Sequence, residues 1–255
     1  MMGKKFWSVL GSAVLLGASS LVSAAPAYWT DWSHQDALNG ATVYGTITTP
    51  SSTVNVTYNN PQGIAFLQNG VSGDLTDYFT SCAFCTNRDP SISPYTSALV
   101  DNVPTAAEMV GLYRAGSQSL HFSQAIANPV FSYVSLNGNG YGFNQDFDIL
   151  SFGDASDGNG CGFWTCGTSY KNIVDLGGGN FEYQLLGTGE PHGTIRFKGA
   201  FSDVSWNSLS NETWNGFTVG VQGTAVEIFE TPEPGSIALL GLGLLALAGM
   251  RRRKG

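Results

Sequence analysis

The chain has 255 residues, 42% hydrophobic and only 12% charged, with eleven Lys and Arg against nineteen Asp and Glu. Six of the eleven cations stand in the two terminal segments, so the stretch between them carries eighteen acidic residues against five basic ones, a charge of −13. Such a surface repels nucleic acid, which is gripped by Lys and Arg that neutralise phosphate, and it disfavours anionic lipid.

The chain opens with Lys4 and Lys5, an apolar run from Phe6 to about Val22, and the small residues Ser23, Ala24 and Ala25. Charge, short apolar core and small-residue site in that order read as a secretory signal. Cleavage is expected after Ala24, because a cut one residue later would set Pro26 against the scissile bond. Residues 1–24 are thus a predicted signal helix, 25–230 the mature domain, and 231–255 a separate terminal segment.

In the mature domain, Ala41–Thr48 is rich in β-branched residues and Thr53–Tyr58 alternates apolar with polar, which predicts a hairpin. Asn59–Gly63 breaks the chain. Residues 68–118 are the least regular, and a short helix is predicted over Thr105–Tyr113, after Pro104. Strands are predicted at Ser119–Phe122, Pro129–Leu136, Phe147–Phe152, Phe181–Leu186, Thr194–Phe201, Trp214–Val221 and Ala225–Phe229. Asn137-Gly-Asn-Gly140 is a strong turn signal. Short strands with turns between them and no sustained helical period predict an all-β fold, an antiparallel β-sandwich of jelly-roll-like type. It would be flanked by the N-terminal signal helix and a C-terminal hydrophobic helix.

Four cysteines form two local pairs, Cys82–Cys85 and Cys161–Cys166. In an exported chain they read as structural disulfides. Three connectivities are open, and 161–166 is sterically easy. Zinc and thioredoxin-type readings fit worse, since the spacings are unequal and Cys82 lies in a loop-like stretch.

The densest acidic cluster is Asp146, Asp148, Asp154 and Asp157, with Gly158 and Gly160 following. Oxygen ligands spaced by glycines suit calcium. The competing reading is turn residues and solvent-facing side chains. No other cofactor is expected. His34, His121 and His192 are far apart, with Glu190-Pro-His192 read as a loop before a strand. No nucleophile elbow, phosphate loop or zinc-protease motif is present, so no catalytic residues and no enzyme are expected. Most aromatics read as core. Trp164 is the exception, because a Cys161–Cys166 bridge would hold it at the surface, where indoles stack on sugar rings.

The chain ends with Thr231-Pro232-Glu233-Pro234-Gly235, an apolar run to Met250, and Arg251-Arg252-Arg253-Lys254. The run is short for a spanning helix, which needs roughly 20 residues, and the basic cluster belongs on the cytoplasmic side. Tripeptide, apolar run and arginine cluster together resemble the PEP-CTERM sorting signal. Segments 128–136, 193–206 and 214–220 are similar to mature domains that carry it. The resemblance implies recognition by an exosortase, a membrane-embedded cysteine transpeptidase, in a bacterium that makes exopolysaccharide.

The expected partners are therefore signal peptidase and exosortase during export, the inner membrane transiently, and exopolysaccharide afterwards, with no nucleic acid. The expected route is an inner-membrane-anchored precursor that becomes a cell-surface or extracellular protein. Its expected role is structural or adhesive within a biofilm. The alternatives are a carbohydrate-binding module, with or without calcium, and a secreted hydrolase built on paired carboxylates.

Overall fold

The computed structural model describes residues 24–36, 41–83 and 89–229. Their strands, in chain order, are β1 (Tyr28–Trp29), β2 (Asp31–Asp36), β3 (Ala41–Thr48), β4 (Thr53–Asn60), β5 (Phe66–Asn69), β6 (Glu108–Leu112), β7 (Gly116–Ala127), β8 (Val130–Val134), β9 (Tyr141–Phe143), β10 (Phe147–Phe152), β11 (Gly167–Gly177), β12 (Asn180–Gly189), β13 (Gly193–Phe197), β14 (Ala200–Ser208) and β15 (Asn215–Val221). One helix, α1 (Ala225–Phe229), follows.

The strands form two sheets. One runs β10-β13-β8-β15-β6-β5 with β1 added to β15, and the other runs β11-β12-β9-β14-β7-β4-β3-β2. All these strand pairings are antiparallel. From β8 onward the strands pair first with last: β8 with β15, β9 with β14, β10 with β13, β11 with β12. That is one long hairpin, tipped at Gly177–Asn180 and wound across both sheets, which is the jelly-roll construction.

Alternation builds the layers. In β3 and β4, Val43, Gly45, Ile47, Val54, Val56 and Tyr58 lie on the buried face while the residues alternating with them are half-buried or exposed. The inward faces meet in a core dominated by aromatics. Phe131 stacks on Phe217 at 4.8 Å, and Trp206 packs edge-on to both. Fully burying each large apolar side chain contributes roughly 1.5–3 kcal/mol. Trp32 is fully buried, and its indole N–H donates to Thr218 Oγ1 at 3.1 Å across the sandwich.

Four local expectations are corrected. The predicted helix at Thr105–Tyr113 is instead β6. All five of its residues are buried between β5 and β15, and a continuous apolar run does not separate a helix from a doubly covered strand. Gly111 lies so close to the Phe66 ring that a β-carbon would collide with it. The predicted strand at Ala225–Phe229 is α1, because Thr224-Ala-Val-Glu227 is a capping box. The Thr224 N–H donates to the Glu227 carboxylate at 2.6 Å, and the Glu227 N–H donates to Thr224 Oγ1 at 3.2 Å. The predicted strand Thr194–Phe201 is cut in two by Gly199, whose φ of +104° turns the chain between sheets. The short strand predicted at Ser119–Phe122 is the middle of the twelve-residue β7. The predicted signal helix, the C-terminal hydrophobic helix and Cys85 lie outside the described residues.

Candidate functional site

Sheet crossings decide where loops can gather. The connections β8–β9, β10–β11, β12–β13 and β14–β15 all pass from one sheet to the other. Antiparallel pairing brings all four to one rim of the sandwich. Between them lies a cleft of about 300 Å³. Ser135 and Asn137 come from the first loop, Trp164 from the second, Glu190 from the third, and Glu212, Thr213 and Trp214 from the fourth.

An aromatic row braces the cleft. Trp214 packs edge-on against Phe66 at 5.2 Å and Tyr78 at 5.1 Å. Tyr78 meets Phe163 at 4.7 Å, and Phe163 meets Trp164 at 4.7 Å. The two indoles of the cleft are thus joined through buried rings, so neither moves alone. The Cys161–Cys166 disulfide closes the loop that carries Trp164, which is 36% exposed. Cys82 is also disulfide-bonded. Gly162 sits over the His192 ring where any β-carbon would clash, which lets this loop lie directly on the β12–β13 connection.

Hydrogen bonds fix the polar groups. The Glu190 carboxylate accepts from Ser135 Oγ on one oxygen and from Asn137 Nδ2 on the other. The Glu190 N–H donates to Cys166 O at 3.1 Å, and the Leu136 N–H donates to Pro191 O at 3.0 Å. Ser135 has φ +59°, a left-handed conformation that costs a non-glycine residue about 1–2 kcal/mol. Its N–H donates to His192 Nδ1 at 3.3 Å. Strain held by such contacts is common where a site is shaped for a ligand. Glu212 accepts from Asn215 Nδ2 at 2.9 Å, and Asn215 in turn accepts from the Tyr141 hydroxyl. Burial raises the Glu212 carboxyl to about 7, against the lowering effect of the Asn215 bond and with the Glu190 charge adding to the rise.

The structure divides the four aspartates expected to form one acidic cluster. Asp146 pairs with Lys171 and with Lys198 at 3.3 Å, and Asp148 pairs with Lys198 at 2.8 Å and Arg196 at 3.9 Å. Both side chains remain open to solvent, 35% for Asp146 and 45% for Asp148. Asp154 and Asp157 lie past the other end of β10, turning the chain. The Ser156 N–H donates to Asp154 Oδ1 at 2.8 Å, and the Phe152 N–H donates to Asp157 Oδ2 at 3.0 Å. Among the described residues no group of three or more His, Cys, Asp or Glu could hold a metal ion.

Of the sites expected from sequence, Trp164 lies in the cleft, whereas Glu190, Glu212 and Trp214 were not anticipated there. The available signal was the placing of Glu190 and Glu212 in connections just before strands. A second hollow of about 260 Å³ lies beside the short β9, with Gln118, Asn144 and Glu182 at its wall. It lacks the paired indoles and the second carboxylate.

The PEP-CTERM protein-sorting motif matches residues 230–254. That span contains Pro232, Glu233, Pro234 and Arg251–Arg253, all outside the described residues. No curated protein and no solved structure matches the chain significantly. Among the described residues no helix is long and apolar enough to cross a membrane. The motif marks an exported protein targeted to an exosortase.

Proposed function

We propose that this PEP-CTERM-bearing chain is a non-enzymatic adhesive protein of the cell surface or extracellular matrix, and that it binds carbohydrate in the rim cleft. One observation carries the reading: Trp164 and Trp214 stand in one cleft with a carboxamide and two carboxylates fixed by their own hydrogen bonds. Sugar rings present an apolar face and a belt of hydroxyls, and this pairing of π-surface with aimed polar groups suits both. The producing cell's own exopolysaccharide is the proposed ligand. Signal peptidase and exosortase act before that stage, on a precursor held in the inner membrane.

The test is a glycan array and calorimetry on the exported protein, with and without EDTA. Trp164→Ala and Trp214→Ala should each weaken binding at least about tenfold, as loss of an anchoring aromatic does. Retention of full affinity by both variants would remove the cleft from the reading. Loss of binding in EDTA would return calcium to it.

A second reading rests on the same two carboxylates. Burial lifts Glu212 to about 7 and Glu190 accepts from Ser135 and Asn137 in the same cleft, and glycoside hydrolases work with two carboxyl groups that flank one bond. Release of reducing ends from a bound polysaccharide, abolished by Glu212→Gln with binding retained, would favour that reading over adhesion.

A further inference from the structure

We propose that the cleft selects sugars bearing a free amine, with the ammonium seated between Glu190 and Glu212 and against the indole faces of Trp164 and Trp214. This rests on the carbohydrate reading above and names the ligand class within it. Both carboxylates line one small hollow, and no described lining residue carries a positive charge. Among the described residues, the Glu190 oxygens accept only from the neutral groups of Ser135 and Asn137, and the Glu212 carboxylate only from the neutral Asn215. Hydrogen bonds from neutral donors leave the mutual repulsion of the pair in place. Burial is the main cause that lifts the Glu212 carboxyl to about 7, the Asn215 bond opposes it, and the Glu190 charge adds the smallest share.

A cation between the two removes that repulsion. A neutral sugar would leave it standing, and a uronic acid would add to it. The indoles favour the same ligand, because an aromatic face attracts a cation as well as an apolar ring. The mature domain's charge of −13 draws cations toward the surface from a distance. The free amine of a de-acetylated hexosamine supplies the charge on a ring that can stack. An N-acetyl group on that amine removes the charge and adds bulk.

The other titratable groups nearby do not line the hollow. His192 is buried behind Ser135 and accepts the Ser135 N–H through Nδ1. Tyr141 faces Glu212 through Asn215, and burial holds its hydroxyl well above its usual range. Arg114, in the β6–β7 connection, stacks on the Tyr113 ring at 4.9 Å.

The experiment is calorimetry on the exported protein with glucosamine, N-acetylglucosamine, glucose and galacturonate oligomers of equal length. The glucosamine oligomer should bind about tenfold or more tightly than its acetylated counterpart, and added salt should shrink that ratio. At about pH 6, where the amine is already mostly charged and Glu212 still mostly protonated, binding should release a proton from Glu212, read as a dependence of the heat on the buffer's ionisation enthalpy. Glu190→Gln and Glu212→Gln, checked for an unchanged melting transition, should each reduce the preference toward parity. A fold too weak to survive one substitution leaves the other variant and the proton release to decide. Equal affinity for the amine and its acetylated form overturns the charge inference while keeping carbohydrate binding. Preference for galacturonate overturns it likewise. No binding of any oligomer overturns both.

Discussion

Glu108 shows how one side chain can set a pH dependence for the whole fold. It is 6% exposed, and its carboxylate accepts the Trp32 N–H at 2.8 Å. Burial lifts it to about 7, opposed by the Trp32 bond and helped by the Asp31 charge. Glu212 is raised to the same region. Between the ordinary glutamate range and about 7, the folded chain keeps protons that the unfolded chain has released. The stability these two carboxyls contribute is therefore greatest below that window, falls as pH rises through it, and levels off above. Gln at position 108 keeps the acceptor for Trp32 and cannot ionise. Glu108→Gln should match the parent under mildly acidic conditions and exceed it by about 1–3 kcal/mol at about pH 8, in urea denaturation. An offset that is the same at both pH values would place the effect in packing rather than in the buried charge. Nothing in the sequence marks Glu108 as special, because its burial follows from β6 lying between two strands that are distant in the chain.

At the level of elements, what was legible depended on how local the cause is. The β3–β4 hairpin is a matter of alternation and a short turn, and both are written in neighbouring residues. The Cys161–Cys166 bridge is equally local, and the sterically easy pairing is the one formed. β6 was read as helix because its character comes from β5 and β15 on either side. α1 was read as strand although Thr224 and Glu227 spell out its cap, so there the signal was present and passed over. The loop at 161–166 joins these local features to the cleft. A bridge closing so short a loop is worth about 2 kcal/mol through the unfolded chain, and it also fixes the segment bearing Trp164. Replacing both cysteines by serine should cost about that much stability in urea titration. It should also weaken oligosaccharide binding in the variant that remains folded. Undiminished affinity would mean that Phe163 and Tyr78 hold Trp164 without the bridge.

Across the whole molecule, the cleft and the point where the described chain ends, Phe229, stand at opposite ends. β15 leaves the cleft at Asn215 and reaches Val221 after seven residues, about 20 Å at the rise of a strand. There Gln222 Nε2 donates to Ala25 O at 2.9 Å, so the first described residues of the sandwich meet its end. Gly223 O accepts the Ala127 N–H at 3.4 Å, and Glu227 accepts from Thr49 Oγ1 at 2.7 Å and from Ser51. These contacts tie α1 to the far end of β7 and to the β3–β4 turn. Phe229 therefore hands the chain to the motif beginning at residue 230 on the side away from the four cleft loops. The terminal motif is legible as a separate segment from its own residues. The rim at which Phe229 leaves the domain follows from strand direction, which a list of predicted strands does not contain. Anchoring and the proposed binding should therefore act at separate places. Full-length protein in detergent and the processed, released form should bind the same amino-sugar oligomer with dissociation constants within about twofold, a difference below 1 kcal/mol. A much weaker full-length form would mean that the anchor segment reaches the cleft, and the binding face would then open only after exosortase processing.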